Sequence, residues 1–402
     1  MNRLSTLLLV TSVATLIGCG GHKSSKKNNA STAAPVQTTT TTPAFALPEA
    51  RAEHQAVTLP SGDILVVGGV DSMGTPLATT LIVGQNDVTP GPDLSEARAG
   101  MTATVTSAGT VLIAGGHSDV AGAVILDSTE IFDPLTQALT AGPKLNAPRT
   151  RHAAVLVGGE VLLFGGLGPS SAPVNSVEAV DVQTSTTSVL PNTMTTAQAD
   201  VEAVLLSTGE VLIASGRDAN STPSQAEIFD PVSGVFTPLT NVGRSGAAVA
   251  AVGSGTAIVA GGETVVGNAA NTEVALGNGA LSAGPALTRA RRDIVVAVLP
   301  GKVFAFVGGW DGKDAVDTIE VGIAPITTVA STFQANAVLA EARWGHTVSV
   351  RGTETLVVIG GWSAPGQALD TIEQVRISPP LSVTPFPSPA TPPPSVGPIP
   401  TP

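Results

Sequence analysis

The chain has 402 residues, enough for one large domain or two ordinary ones. Its 44 Gly and 31 Pro argue against long helices and for many short strands joined by turns, and only 12% of its residues are charged. The formal net charge is −12 and every acidic residue lies between Glu49 and Glu373. The folded part is therefore acidic, offers no basic stripe to phosphates, and would be repelled rather than attracted by an anionic membrane, which excludes nucleic acid as the expected partner.

Residues 1–18 carry Arg3, a mostly apolar run from Leu4 to Ile17, and Gly18, in the manner of a secretory signal peptide. The run is too short to span a bilayer comfortably. Its end, Leu16-Ile17-Gly18-Cys19, resembles the lipobox of bacterial lipoproteins. That resemblance implies cleavage before Cys19, the only cysteine, and its acylation. The membrane would then be met through the lipid anchor only. Gly20 at the next position implies an outer-membrane address in a Gram-negative envelope; the alternative is an ordinary signal with extracellular release and an incidental thiol. Residues 19–44, lipidated Cys19 included, read as a disordered Ser/Thr/Ala spacer. At the other end, residues 381–402 form a Pro-rich tail expected to be extended.

Between them, residues 45–380 repeat themselves. A β-rich run ends in a Gly pair at Gly68-Gly69, Gly115-Gly116, Gly165-Gly166, Gly261-Gly262, Gly308-Gly309 and Gly360-Gly361, with Ser215-Gly216 in the same place in a seventh copy. A period near 50 suits propeller blades. Ahead of each pair lie two β-like segments split by a Gly turn, for example Gln55-to-Leu59 and Ile64-to-Val67. The second segment is nearly all apolar, as expected of a strand covered on both faces. A third segment follows, as in Glu130-Ile131-Phe132-Asp133-Pro134 and Glu227-Ile228-Phe229-Asp230-Pro231, and then a weaker fourth, such as Val235-Phe236-Thr237. The expected fold is all-β: a seven-bladed propeller with four antiparallel strands per blade. Two segments compete to supply the outer strand of blade seven. Phe45-Ala46-Leu47-Pro48 is preferred over Leu381-Ser382-Val383, because it ties the termini together and hides strand edges.

The Gly pair, an upstream Arg, a mid-blade Glu and Asp-Pro together resemble the kelch repeat, over about residues 45–380. The usual kelch Tyr and Trp are missing: the chain has no Tyr, Phe132 and Phe229 stand in two of those places, and Leu139 and Phe236 lie near the expected Trp. Kelch-type propellers include oxidases with copper beside a Tyr–Cys crosslink. Without Tyr, and with Cys19 outside the repeats, that chemistry is not expected here.

Arg51, Arg98, Arg149, Arg244, Arg291 and Arg343 recur at one site, with Gln198 in the remaining blade; Glu130, Glu178, Glu227, Glu273, Glu320 and Glu373 recur at another. Catalytic groups are normally singular, so these are read as structural ties within or between blades. His54, His152 and His346 share a site with Met101, Val201, Ala247 and Ile294, which marks packing, with a backbone partner expected for each His. No metal-ligand spacing and no nucleophile motif emerge, and short turns bearing Asp218, Asp311 and Asp314 need no calcium, so no catalytic residue, metal or cofactor is expected.

The residue after each Gly pair varies: Val70, His117, Leu167, Arg217, Glu263, Trp310 and Trp362. Trp310 and Trp362, with Trp344, His117 and Arg217, are the candidate binding residues on one loop face; packing near the ring closure is the competing reading of the Trp. The expected function is a monomeric, surface-displayed binding or scaffold module in a bacterial cell envelope, recognising a protein or glycan. An isomerase- or lyase-type carbohydrate enzyme at the channel mouth and a purely structural envelope component are the alternatives. The enzyme would need acid–base groups at the mouth, which the sequence does not place.

Overall fold

The computed structural model describes residues 37–40, 45–240, 243–253, 255–275, 281–324 and 333–378. The signal segment 1–18, Cys19, most of the spacer and the tail 381–402 lie outside the described residues. Among those described, secondary structure is strand throughout, apart from a 3₁₀ turn at Pro169–Ser171.

Blade one is the antiparallel meander Gln55–Thr58, Ile64–Val67, Thr80–Val83 and Val88–Pro90. The same order recurs over 102–141, 153–189, 199–238, 248–283 and 295–338. The second strand of each blade is buried, Ile64–Val67 and Val111–Ala114 without a break, which accounts for their uninterrupted apolar sequences. Blade seven is Thr347–Arg351, Thr355–Ile359 and Thr371–Ser378. Its outer edge comes from the other end of the chain: Phe45–Ala46 pairs with Ile372 and Thr371, and Gln37–Thr40 pairs with Ser378 back to Val375. The closure through Phe45 is thus the one formed; Leu381–Val383 lies outside the described residues. Gln37–Thr40 falls in the stretch read as spacer, and pairing extends into it because the long last strand still has unpaired edge there.

A single blade cannot cover its own faces, and the apolar side chains show where cover comes from. Seven clusters each join two neighbours. One sets Leu65, Val67 and Ile82 of blade one against Met101, Val111 and Phe132 of blade two. Similar clusters join two to three, three to four, four to five, five to six and six to seven. The circle shuts where Leu47, Ile64, Val66 and Leu81 meet Val357, Ile359 and Ile372. Phe229 stacks on Phe236 at 4.5 Å, filling volume left by the missing Tyr and Trp.

The Gly pairs are the hinges between blades. In six blades both glycines have positive φ, as at Gly68 (54°) and Gly69 (91°). A Cβ on the first would lie 2.3–2.6 Å from the carbonyl oxygen of the residue at the repeated Arg site of the next blade. The N–H of the second donates to that same carbonyl, from Gly69 to Arg98 at 3.0 Å around to Gly361 to Arg51 at 2.9 Å. Blade four departs from this. Ser215 and Gly216 take no positive φ, the second strand runs straight on through Arg217, and the first strand, Ala199–Leu205, bulges on either side of Glu202.

Candidate functional site

The repeated Arg and Glu form a frame. Arg51, Arg98, Arg149, Arg244, Arg291 and Arg343 are all fully buried. Arg98 donates to the Gly115 and Ser128 carbonyls and reaches Glu130 at 2.8 Å. Arg149 reaches Glu178 at 2.5 Å, Arg291 reaches Glu320 at 2.6 Å, Arg244 reaches Glu273 at 3.3 Å, and Arg343 pairs with Glu373. The carboxylate also accepts from the backbone of the loop that leads into its own blade, as Glu130 does from Ser95 N–H. Each such pair therefore pins a blade to its own leading loop. Two blades lack it. Leu81 stands in register where blade one would have Glu, so Arg51 keeps the contact to Thr79 that its counterparts make at the equivalent residue, with Glu49 at a distant 3.9 Å, and burial lowers its guanidinium to about 10. In blade four Gln198 cannot serve Glu227, which accepts from Thr195 and is pushed up by burial.

The buried histidines are staples between blades. His54 bonds the Thr347 hydroxyl of blade seven at 2.8 Å, and His152 bonds Thr102 of blade two at 3.0 Å. Their partner is thus a threonine side chain rather than the backbone expected. Burial, with Arg51 or Arg149 adding repulsion, lowers each ring to about 3; His346 is lowered in the same way.

On the face where the Gly pairs lie, the channel opens into a cup of about 590 Å³. The residue two beyond each repeated Arg site has positive φ and stands on the rim: Glu53, Gly100, Arg151, Asp200, Gly246, Asp293 and Gly345. Three are glycine, for which that backbone is cheap; the other four are all charged. A non-glycine residue held at φ of 54–58° is strained, and such strain gathers where side chains must be aimed. The glycines clear space for charged neighbours: a Cβ on Gly246 would stand 2.5 Å from Asp293 Oδ1, and one on Gly100 would stand 3.2 Å from Arg151 Cγ.

A chain of ion pairs runs through the cup. Arg151 meets Asp200 at 2.6 Å; Arg217 meets Asp200 at 3.6 Å and Glu263 at 2.9 Å; Arg292 meets Asp293 at 2.7 Å and Glu263 at 3.9 Å. Glu202, placed by the bulge in blade four, is exposed to the cavity; desolvation, then Asp200 and Asp293, push its carboxyl up to about 7. Asp293 is also raised, chiefly by burial.

Of the candidate binding residues named from the sequence, Arg217 and Trp344 line the cup, as do the packing histidines His54, His152 and His346. Trp310 packs against Trp344 with ring centroids 4.5 Å apart. Trp362 is buried with Ala52, Val70 and Ala99, which makes it a packing residue rather than an exposed binding one. His117 is half-buried and bonds Thr150 at 3.2 Å. The sequence reading missed Glu53, Arg151, Asp200, Glu202, Arg292 and Asp293. The signal was present in the column between the repeated Arg and His, which holds only glycine or charge.

The turn carboxylates are satisfied locally: Asp218 accepts from Asn220 and Thr222 N–H, and Asp311 from Lys313 and Asp314 N–H. No group of three or more His, Cys, Asp and Glu among the described residues could hold a metal ion.

Comparison with known proteins bears on the fold. The model of the Kelch motif matches residues 148–193, from just before the repeated Arg of blade three to a few residues past its outer strand. No curated protein matches the chain. Among solved structures, the chain is similar to a fungal alcohol oxidase of the AA5 family in complex with copper, with 15% identity and a TM-score of 0.65, over 84% of this chain and 75% of that one. At that identity the likeness is one of fold alone. The cup does not fit copper: its three lining histidines are buried in separate blades, two of them bonded to threonines, and there is no Tyr to join them. Seven four-stranded blades and the Gly-pair hinges make this protein a seven-bladed β-propeller, one of whose blades matches the Kelch motif.

Proposed function

We propose that the protein is a binding module that takes a glycan in the cup at the channel mouth. The observation that carries this reading is the convergence of Arg151, Asp200, Arg217, Arg292 and Asp293 beside the indole of Trp344 in one open cavity. Forked guanidinium and carboxylate groups suit the paired hydroxyls of a sugar, and an aromatic face suits its apolar side. The cup is also lopsided: Arg217, Arg292 and Trp344 come from blades four, six and seven, while the corresponding places on blade one are Ala52 and Val70. A frame tie would recur evenly; a ligand site need not. The test is a glycan array probed with the full chain and with Arg217→Ala. A glycan bound by the parent and lost in the variant is expected; no glycan bound, or binding unchanged in the variant, would contradict the reading.

One observation favours a second reading, an enzyme acting on a carbohydrate. Glu202 has a carboxyl near neutrality beside Asp200, which Arg151 and Arg217 hold, and this is the poise of a general acid or base. Turnover of a bound glycan, lost in Glu202→Gln, separates the two readings. Envelope display through acylated Cys19 belongs to the same proposal. It predicts incorporation of labelled fatty acid that disappears in Cys19→Ala.

A further inference from the structure

The charges in the cup do not balance. Three guanidinium groups, Arg151, Arg217 and Arg292, face it, and all three are engaged: with Asp200, with Asp200 and Glu263, and with Asp293 and Glu263. These three cations against three carboxylates cancel. Two lining carboxylates remain, Glu53 and Glu202, and neither has a Lys or Arg within ion-pair distance among the described residues. The lining histidines add no positive charge, because His54, His152 and His346 are held neutral by burial. Asp200 and Asp293 act repulsively on Glu202, whose carboxyl is raised because no cation lies close enough to offset its desolvation. Glu53 stands in blade one and Glu202 in blade four, so the uncompensated charge sits on two sides of the mouth rather than at one rim.

An acidic glycan would meet this surplus as repulsion, and a neutral one could give Glu202 and Glu53 only hydroxyl donors, leaving their charge uncompensated. A protonated amine answers both carboxylates with charge-assisted hydrogen bonds, and the Trp344 face can take an ammonium as readily as a sugar ring. We propose that the ligand of the cup is a glycan carrying free amino groups, seated with an ammonium at Glu202 and its apolar face toward Trp344. This rests on the reading of the cup as a glycan site and narrows it to one chemical class.

The experiment is calorimetric titration of the full chain at pH 7 with three tetrasaccharide probes: glucosamine, N-acetylglucosamine and galacturonic acid. The glucosamine tetramer is expected to bind at least about tenfold more tightly than its acetylated form, as one lost charge-assisted contact implies. Glu202→Gln should remove most of that preference, weakening the glucosamine tetramer more than the acetylated one. Glu53→Gln should reduce the preference in part and keep the Glu202 effect. Equal or tighter binding of the acetylated or acidic tetramer would overturn the amine assignment while leaving the glycan site standing. Failure of all three tetramers, combined with an array on which no glycan binds, would remove both readings together.

Discussion

Arg149 and Glu178 show what the repeated pair does at the scale of a single side chain. Both are fully buried, 2.5 Å apart, with the carboxylate also accepting from Asn146 and Ala147 N–H. Removing one partner strands the other. Arg149→Ala is expected to cost about 3–5 kcal/mol in urea unfolding, whereas Arg149→Met with Glu178→Leu should recover most of the loss, since buried ion pairs are often matched by apolar packing. The histidines make a pH prediction. His54 and His152 are lowered to about 3 in the folded chain, against an ordinary value of 6.5. Between those values the unfolded chain binds protons that the folded chain does not. Their contribution to stability is therefore complete above pH 6.5 and falls as pH drops toward 3, at up to about 1.4 kcal/mol per pH unit for each ring. Glu202, raised to about 7, works the other way between its ordinary value and neutrality. His152→Leu should flatten the decline of urea stability from pH 6.5 to 4 by about one proton; an unchanged slope would show that the ring is not held neutral.

Among elements, blade four carries the largest departures and two of the groups that matter most, Asp200 and Glu202. Gln198 replaces the frame Arg, Ser215 replaces the first Gly, and the bulge follows. A blade that gives up its frame pair and regular register while gaining charge at the mouth has the mark of stability traded for function. Gln198→Arg with Ser215→Gly restores the pattern of the other blades and gives Glu227 a cation. We expect a melting temperature raised by a few degrees and weaker ligand binding as Glu202 swings out of place; unchanged affinity would show that the bulge does not serve the cup. Most of the elements were legible in the sequence. Ile64–Val67, Val111–Ala114 and Val303–Val307 follow their apolar runs to the residue, because a strand buried on both faces has no polar position to blur its ends. The cup was not legible in the same way. Glu53 and Asp293 are far apart in the chain and meet only because the ring closes, and no local pattern states which charged residues will converge. The alternation of Gly with Glu, Arg and Asp between the frame sites was the trace left in the sequence, and its meaning is a left-handed backbone that only a structure displays.

At the scale of the molecule, everything depends on the circle. Blades one, four, six and seven each contribute to the cup, so an open ring would scatter Glu53, Glu202, Asp293 and Trp344. Closure rests on Gly361 N–H to the Arg51 carbonyl, on the cluster joining Val66 to Val357, and on the N-terminal strand laid along Thr371–Ser378. Ala46 and Thr371 face each other across that seam, next to the hydrogen-bonded pair Leu47 and Asp370. That makes theirs the closer, non-hydrogen-bonded kind of antiparallel pair, whose spacing accepts a disulfide. The direct measurement is therefore oxidation of Ala46→Cys with Thr371→Cys in a Cys19→Ala background. A closed ring predicts full intramolecular disulfide formation in a monomer, with ligand affinity retained. Free thiols, or disulfides formed only between chains, would show that the blades do not close through this seam.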